Sequence, residues 1–418
     1  MDLARKTWIR ISLLNLMIVA FLGVVLRYKI NFSLPWIDQK KLLHGHSHFA
    51  FSGWITQTLM ILMLGWLEDQ TSQNQFYRYR WLLFWNLFTA YGMLISFPIQ
   101  GYAFFSILFS TISIFVSYAF ALMFWSDINE VSSKSLSKQC FKIALLGNIF
   151  SSVGPFSLAY MIATKNLHQN LYLASVYFFL HFQYNVWFFF VIMGLVVDSM
   201  VKMGLSKRRL SWVFILFALA AAPTYLLSVL WWPLGVLPYL ITILAVICQL
   251  VAWGIMIGVI MQNWSQLNSL TSPFTRFMFI LAGIALTLKL LLQTGSVEPS
   301  LSKLAFGFRP IVIGYLHLVL LGIITIFMLA WLDKNQMIKN HRTARAGLLI
   351  FVCGIMVNEG LLMIQGLADM QYFAIPCINI LLFLVAVILF SGAALIFFSQ
   401  FSQYMIRITK KAEGIAEF

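Results

Sequence analysis

Three histidines stand within five positions of the stretch KLLHGHSHFAFSGW, residues 41–54: His44, His46 and His48. On a helix, residues four apart share a face and residues two apart diverge, so His44 and His48 point one way and His46 another. Neutral imidazole is the commonest side-chain metal ligand and the usual axial ligand of haem iron. Four further histidines follow: His168 and His341 fall in polar loops, while His181 and His317 fall inside apolar runs. An ionisable group within a bilayer is costly enough that a functional site is its default reading. The competing reading is a ring that bonds to a backbone carbonyl across helices. Two more charges sit inside apolar runs, Lys289 in LTLKLLLQ and Glu359 in VNEGLLM. Their opposite signs and matched depths invite a buried pair serving proton movement or holding carboxylates. In the alternative, Lys289 snorkels to the interface and Glu359 is protonated or bonded to Asn358.

These residues sit in a chain of 418 residues that is 61% hydrophobic and only 10% charged, a composition outside the range of soluble domains. The sequence therefore specifies an all-α, polytopic membrane protein. Runs of about 20 apolar residues, enough to cross a bilayer as helix, occur near 8–27, 48–67, 81–98, 103–125, 142–163 and 172–197. Six more lie near 211–229, 236–260, 276–295, 310–332, 346–366 and 375–399. These twelve spans nearly exhaust residues 1–418, which read as a single transmembrane domain with no linker and no evident internal repeat. The basic start of the first span is followed by no small-residue cleavage site, so it reads as a span rather than a signal peptide.

The net charge of +15 marks topology rather than nucleic-acid binding, because Lys and Arg collect in cytoplasmic loops. With the N-terminus inside, the inner segments hold 20 of the 28 basic residues, including Arg5, Lys6, Arg10, Lys207 to Arg209 and the group from Lys334 to Arg345. Both termini are then cytoplasmic, and the expected location is the cell's inner (plasma) membrane. The outer loop Tyr28 to Lys41, with Trp36, reads as an interfacial segment, and Trp231, Trp232 and Tyr372 fit the aromatic belts. Four scattered cysteines form neither a C-x-x-C pair nor a C-x-x-C-H run, which argues against disulfide scaffolding and covalent haem.

In this orientation His44, His46, His48, His181 and His317 all occupy the outer half, with His181 and His317 about 12 to 15 Å deep at about 1.5 Å per residue. Imidazoles from two helices can clamp an iron across a bundle. The 39 phenylalanines offer apolar walls for a macrocycle, or plain packing. Gly45, Gly53 and Gly322 near the histidines permit close approach, either of a flat ring or of a neighbouring helix.

Twelve spans with histidines on the second, sixth and tenth resemble subunit I of the haem-copper oxidase superfamily, including the cbb-type oxidases and nitric oxide reductases. The layout covers nearly the whole chain. LHGHSHFAFSG resembles the family's second-span haem motif, YFFLHFQYNVWFFF places His181 where the sixth-span metal ligand falls, and YLHLVLLG places His317 at the low-spin haem position. The resemblance implies haem b held by His317 with His44 or His48, and a copper or iron ion near His46 and His181. It also implies a redox partner such as a quinol or a cytochrome. The departures matter as much. Tyr315 stands where the ligand of the catalytic haem is expected, span seven has no histidine, and position 185 is Asn, with Tyr184 one residue off the family's tyrosine. The family's arginine pair before span twelve is missing from LADMQYFAIP, which leaves Arg309 or Lys303 to meet haem propionates. A complete oxygen-reducing centre is not expected. The NnrS proteins, twelve-span haem- and copper-containing proteins linked to nitric oxide stress, show a related early motif, but this chain lacks its Glu and Met.

Three functions follow: a haem-binding redox or gas-sensing protein; an oxidase or nitric oxide reductase rebuilt around His46 and His181; or a twelve-span transporter, for which Pro155 and Pro223 supply helix breaks.

Overall fold

Spans two, six and ten contain stretches apolar on every face, such as QTLMILMLGWL, FVIMGLVV and IFMLAWL, and a helix apolar all round must be buried. The computed structural model, which describes residues 3–131, 135–339 and 342–401, places them accordingly. Along their most apolar windows spans two, six and ten are 89%, 72% and 50% buried, against 22% to 44% for the other straight spans. They form the centre, and the remaining spans surround them with one face toward lipid.

Span one is Leu3–Asn31, span two Gln39–Thr71, span three Arg80–Gln100, span four Phe104–Asp127, span five Leu136–Ala163 and span six Gln169–Lys202. Span eight is Val236–Gln262, span nine Pro273–Gly295, span ten Arg309–Lys334, span eleven Arg342–Met370 and span twelve Ile378–Ser399. Span seven is a pair, Lys207–Ala221 and Pro223–Val229, bent by 45°. Eleven helices and one bent pair, with no strand among the described residues, make a polytopic helical membrane protein. His341, read from the sequence as lying in a polar loop, lies outside the described residues.

Some boundaries differ from the hydropathy reading. Span two begins nine residues before its apolar run, because Asp38 caps the helix by accepting from the Lys41 amide at 2.8 Å. That amide also holds the Asp38 carboxyl below its ordinary range. The whole histidine triplet is thereby helical, and the segment between spans one and two shortens to residues 32–38, where Trp36 is exposed. Pro223 breaks span seven as its missing N–H requires, whereas Pro155 only interrupts span five at Ser152.

One regularity was invisible in the sequence. In each central span a π-helical stretch follows the histidines: Ala50–Thr56, Phe182–Phe188 and Leu318–Thr325. The same device recurs every fourth span. Wider turns misdirect carbonyls, and polar side chains from neighbouring spans meet them. Asn15 donates to the Gly53 carbonyl at 2.5 Å and Asn86 to the Ser52 carbonyl at 3.1 Å. Tyr91 anchors Asn15 by donating to its Oδ1 at 2.7 Å. The indole of Trp54 donates to Thr325 at 3.0 Å, tying the π segments of spans two and ten together.

Candidate functional site

The helix Gln39–Thr71 splits its histidines between two faces, as the spacing requires. His44 and His48 turn toward the end of span three and the loop after it: His48 stacks on Phe97 with centroids 4.4 Å apart, and His44 meets Tyr102 edge-on at 4.7 Å. His46 turns the other way. Its ring packs against the Val19 carbonyl of span one and lies close enough to His317 for their charges to interact. Of the triplet, His46 is the one within electrostatic reach of His317, while His44 and His48 pack on Tyr102 and Phe97.

His317 is held in a defined tautomer. Its Nδ1 donates to the Ile313 carbonyl one turn earlier at 2.8 Å, which leaves the Nε2 lone pair free. This is the arrangement by which protein backbones orient a metal-ligating histidine. On the opposite side, Nδ1 of His46 is buried without a partner.

The start of span ten is only half-buried. Every residue from Ile311 to His317 keeps some accessible surface, on all sides of the helix, whereas residues 318 to 330 past the π turn are almost all buried. A Cβ built on Gly23 of span one would meet only the His46 ring, at 3.9 Å. One turn beyond Gly23 on the same face is Arg27, whose charge acts on His317 and which has no carboxylate partner among the described residues. Sequence reasoning passed over Arg27. Its signal was a cation at the outer end of an apolar run, against the charge asymmetry of the chain. Arg309 and Lys303, expected to serve carboxylates, are both exposed. Two cavities of about 430 and 450 Å³ open beside His168 where span five ends and span six begins, and neither is lined by His46 or His317.

His181 has a different environment. Fully buried, it donates from Nε2 to the Ala221 carbonyl at 2.8 Å and accepts at Nδ1 from the Asn185 amide at 3.1 Å. The Ala221 carbonyl loses its helical amide partner at the break at Pro223, where Tyr225 N–H bonds to the Ala222 carbonyl instead, and it accepts from the Thr224 hydroxyl at 3.4 Å as well as from His181. His181 thus caps the kink in span seven, and neither ring nitrogen is free. Tyr184 and Tyr315 meet across spans six and ten with ring centroids 6.4 Å apart.

The glycines also resolve. A Cβ on Gly45 would lie 2.9 Å from Pro98, so Gly45 serves the close packing of spans two and three. Gly53 lies inside the π turn beneath the Phe49 ring, and Gly322 faces Ala285 of span nine at 3.4 Å. No ion pair joins Lys289 to Glu359 among the described residues: Glu359 accepts from Asn358 at 3.0 Å, and Lys289 is buried near His181. Nor do three or more His, Cys, Asp or Glu side chains gather at a single metal position among the described residues.

Fold and composition define a polytopic helical membrane protein. The chain matches no known protein-family model and no curated protein.

Proposed function

We propose that the protein is a membrane haem protein in which His46 and His317 would hold the iron of a b-type haem and the function is electron transfer or the redox handling of nitric oxide or oxygen. The observation that carries this reading is that His46 lies within electrostatic reach of His317, with a free Nε2 on one and an unpartnered Nδ1 on the other. The role given to His44 or His48 by resemblance passes to His46 on geometric grounds. The space around Gly23 and the half-buried residues 311 to 317 fit a flat apolar ligand, and Arg27 fits its carboxylates.

A bound haem supplies a one-electron iron couple. The Ile313 carbonyl fixes the tautomer and orientation of His317, the buried inner halves of spans two and ten keep water from the cytoplasmic side of the site, and Arg27 offsets negative charge near the outer surface. The electron would come from a quinol or a cytochrome at that surface. A second metal, copper or iron, held by His46 and His181 draws less support, because both nitrogens of His181 are engaged. A reduced-minus-oxidised spectrum of the purified protein tests the proposal: a Soret and α band of a six-coordinate b-type haem is expected, and a preparation made under haem-replete conditions without Soret absorption overturns it.

A further inference from the structure

The other face of the triplet carries a second constellation. His44 and His48 stand one helical turn apart and close enough to interact electrostatically. Tyr102 reaches them from the segment between spans three and four, its hydroxyl 3.3 Å from Nε2 of His48 and its ring edge-on to His44. Phe97 lies flat against His48, with 8° between the planes, and fixes the direction of that imidazole. The Nε2 of His44 is buried and has no hydrogen-bond partner.

The segment that delivers Tyr102 is itself pinned. Gly101 adopts φ +69°, a left-handed conformation that favours glycine, and its N–H donates to the Phe97 carbonyl at 2.8 Å. Ser106 donates to the Gly101 carbonyl at 2.5 Å and accepts from the Ala103 amide at 2.9 Å. The phenol is thus placed by backbone geometry at the outer mouth of the bundle.

We infer that His44, His48 and Tyr102 form a binding site for a divalent first-row transition ion of the zinc or copper(II) class. Two imidazoles at i and i+4 on one helix face are a recurrent chelating pair for such ions, and a phenol oxygen is a compatible third donor. Nitrogen-rich borderline donors select zinc or copper over magnesium and calcium, which prefer oxygen cages. Three protein ligands leave a coordination position open to water or a small ligand from the outer side. The site faces away from His46 and His317 and does not depend on haem being present.

The test is zinc binding to the full-length protein in lipid nanodiscs after chelator treatment, read by competition with a chromophoric chelator. One zinc per chain is expected. His44→Asn and His48→Asn, which keep the polar shape, each abolish it, and Tyr102→Phe weakens it about tenfold. His46→Ala and His317→Ala leave zinc binding unchanged, so failure of the haem reading and failure of this one are distinguishable. Copper(II) added to the same sample would show hyperfine coupling to two imidazole nitrogens in its paramagnetic resonance spectrum. Nanodisc-embedded, monodisperse protein that binds no zinc, or binds it equally with and without His44 and His48, overturns the inference. So does zinc binding lost in His46→Ala but kept in His44→Asn.

Discussion

His181→Ala separates a ligand from a structural cap. The substitution removes a ring with no exposed surface whose two nitrogens bond at 2.8 Å to the Ala221 carbonyl and at 3.1 Å to the Asn185 amide. Each buried partner left unsatisfied costs about 1–3 kcal/mol, although interhelical bonds in membranes run lower, about 0.6 kcal/mol on average. With the Asn185 amide unsatisfied, the Ala221 carbonyl left to its longer bond from Thr224, and an unfilled volume between spans six and seven, the expected loss is about 2–4 kcal/mol. The assay is unfolding of the reconstituted protein by titrated denaturing detergent, followed by the fluorescence of its 14 tryptophans. Asn185→Ala, which removes one of the two bonds, should cost about half as much. A double-mutant cycle should return a coupling near 1 kcal/mol. Haem content per folded molecule should not change. A loss of stability below about 0.5 kcal/mol, accompanied by loss of a bound metal, would refute the capping role and return His181 to the ligand set.

Gly23→Leu fills the space beside His46 and should lower haem occupancy severalfold while leaving detergent-unfolding stability near that of the parent; an unchanged Soret-to-protein ratio contradicts the slot. Asn15→Leu uncovers the Gly53 carbonyl in the π turn and frees the Tyr91 hydroxyl, and should cost about 1–3 kcal/mol in the same unfolding assay. Lys289→Met replaces a buried cation that has no ion-pair partner among the described residues with an apolar chain of similar length. It should be neutral or stabilising, and a destabilisation above about 2 kcal/mol would reveal a buried partner.

The span count and all-helical class were readable because twelve runs of apolar residues each exceed a bilayer's thickness, a signal that needs no tertiary information. The split of the triplet followed equally from helical periodicity, since His46 and its neighbours two residues away cannot share a face. Which face meets span ten was not legible. It depends on the rotation of span two, set by the Gly45–Pro98 contact and by Asn15 and Asn86 gripping the π turn, both involving residues far apart in the chain. The π turns were hidden for the same reason: their misdirected carbonyls are met by side chains from other helices. Arg27 escaped notice because a terminal arginine reads as an interfacial anchor until its helix is seen beside His317. The extended start of span two was available in principle, since Asp38 is of a residue type preferred at helix N-caps, but hydropathy alone cuts the span where the polar histidines begin.

The central claim is that His46 and His317, and not His44 or His48, would hold the haem iron. Haem stoichiometry and the reduced α band, measured on the purified variants His46→Ala, His317→Ala, His44→Ala and His48→Ala, test it most directly. The account predicts loss of the six-coordinate spectrum in the first two and its retention in the last two. Retention in His46→Ala with loss in His44→Ala or His48→Ala would contradict it.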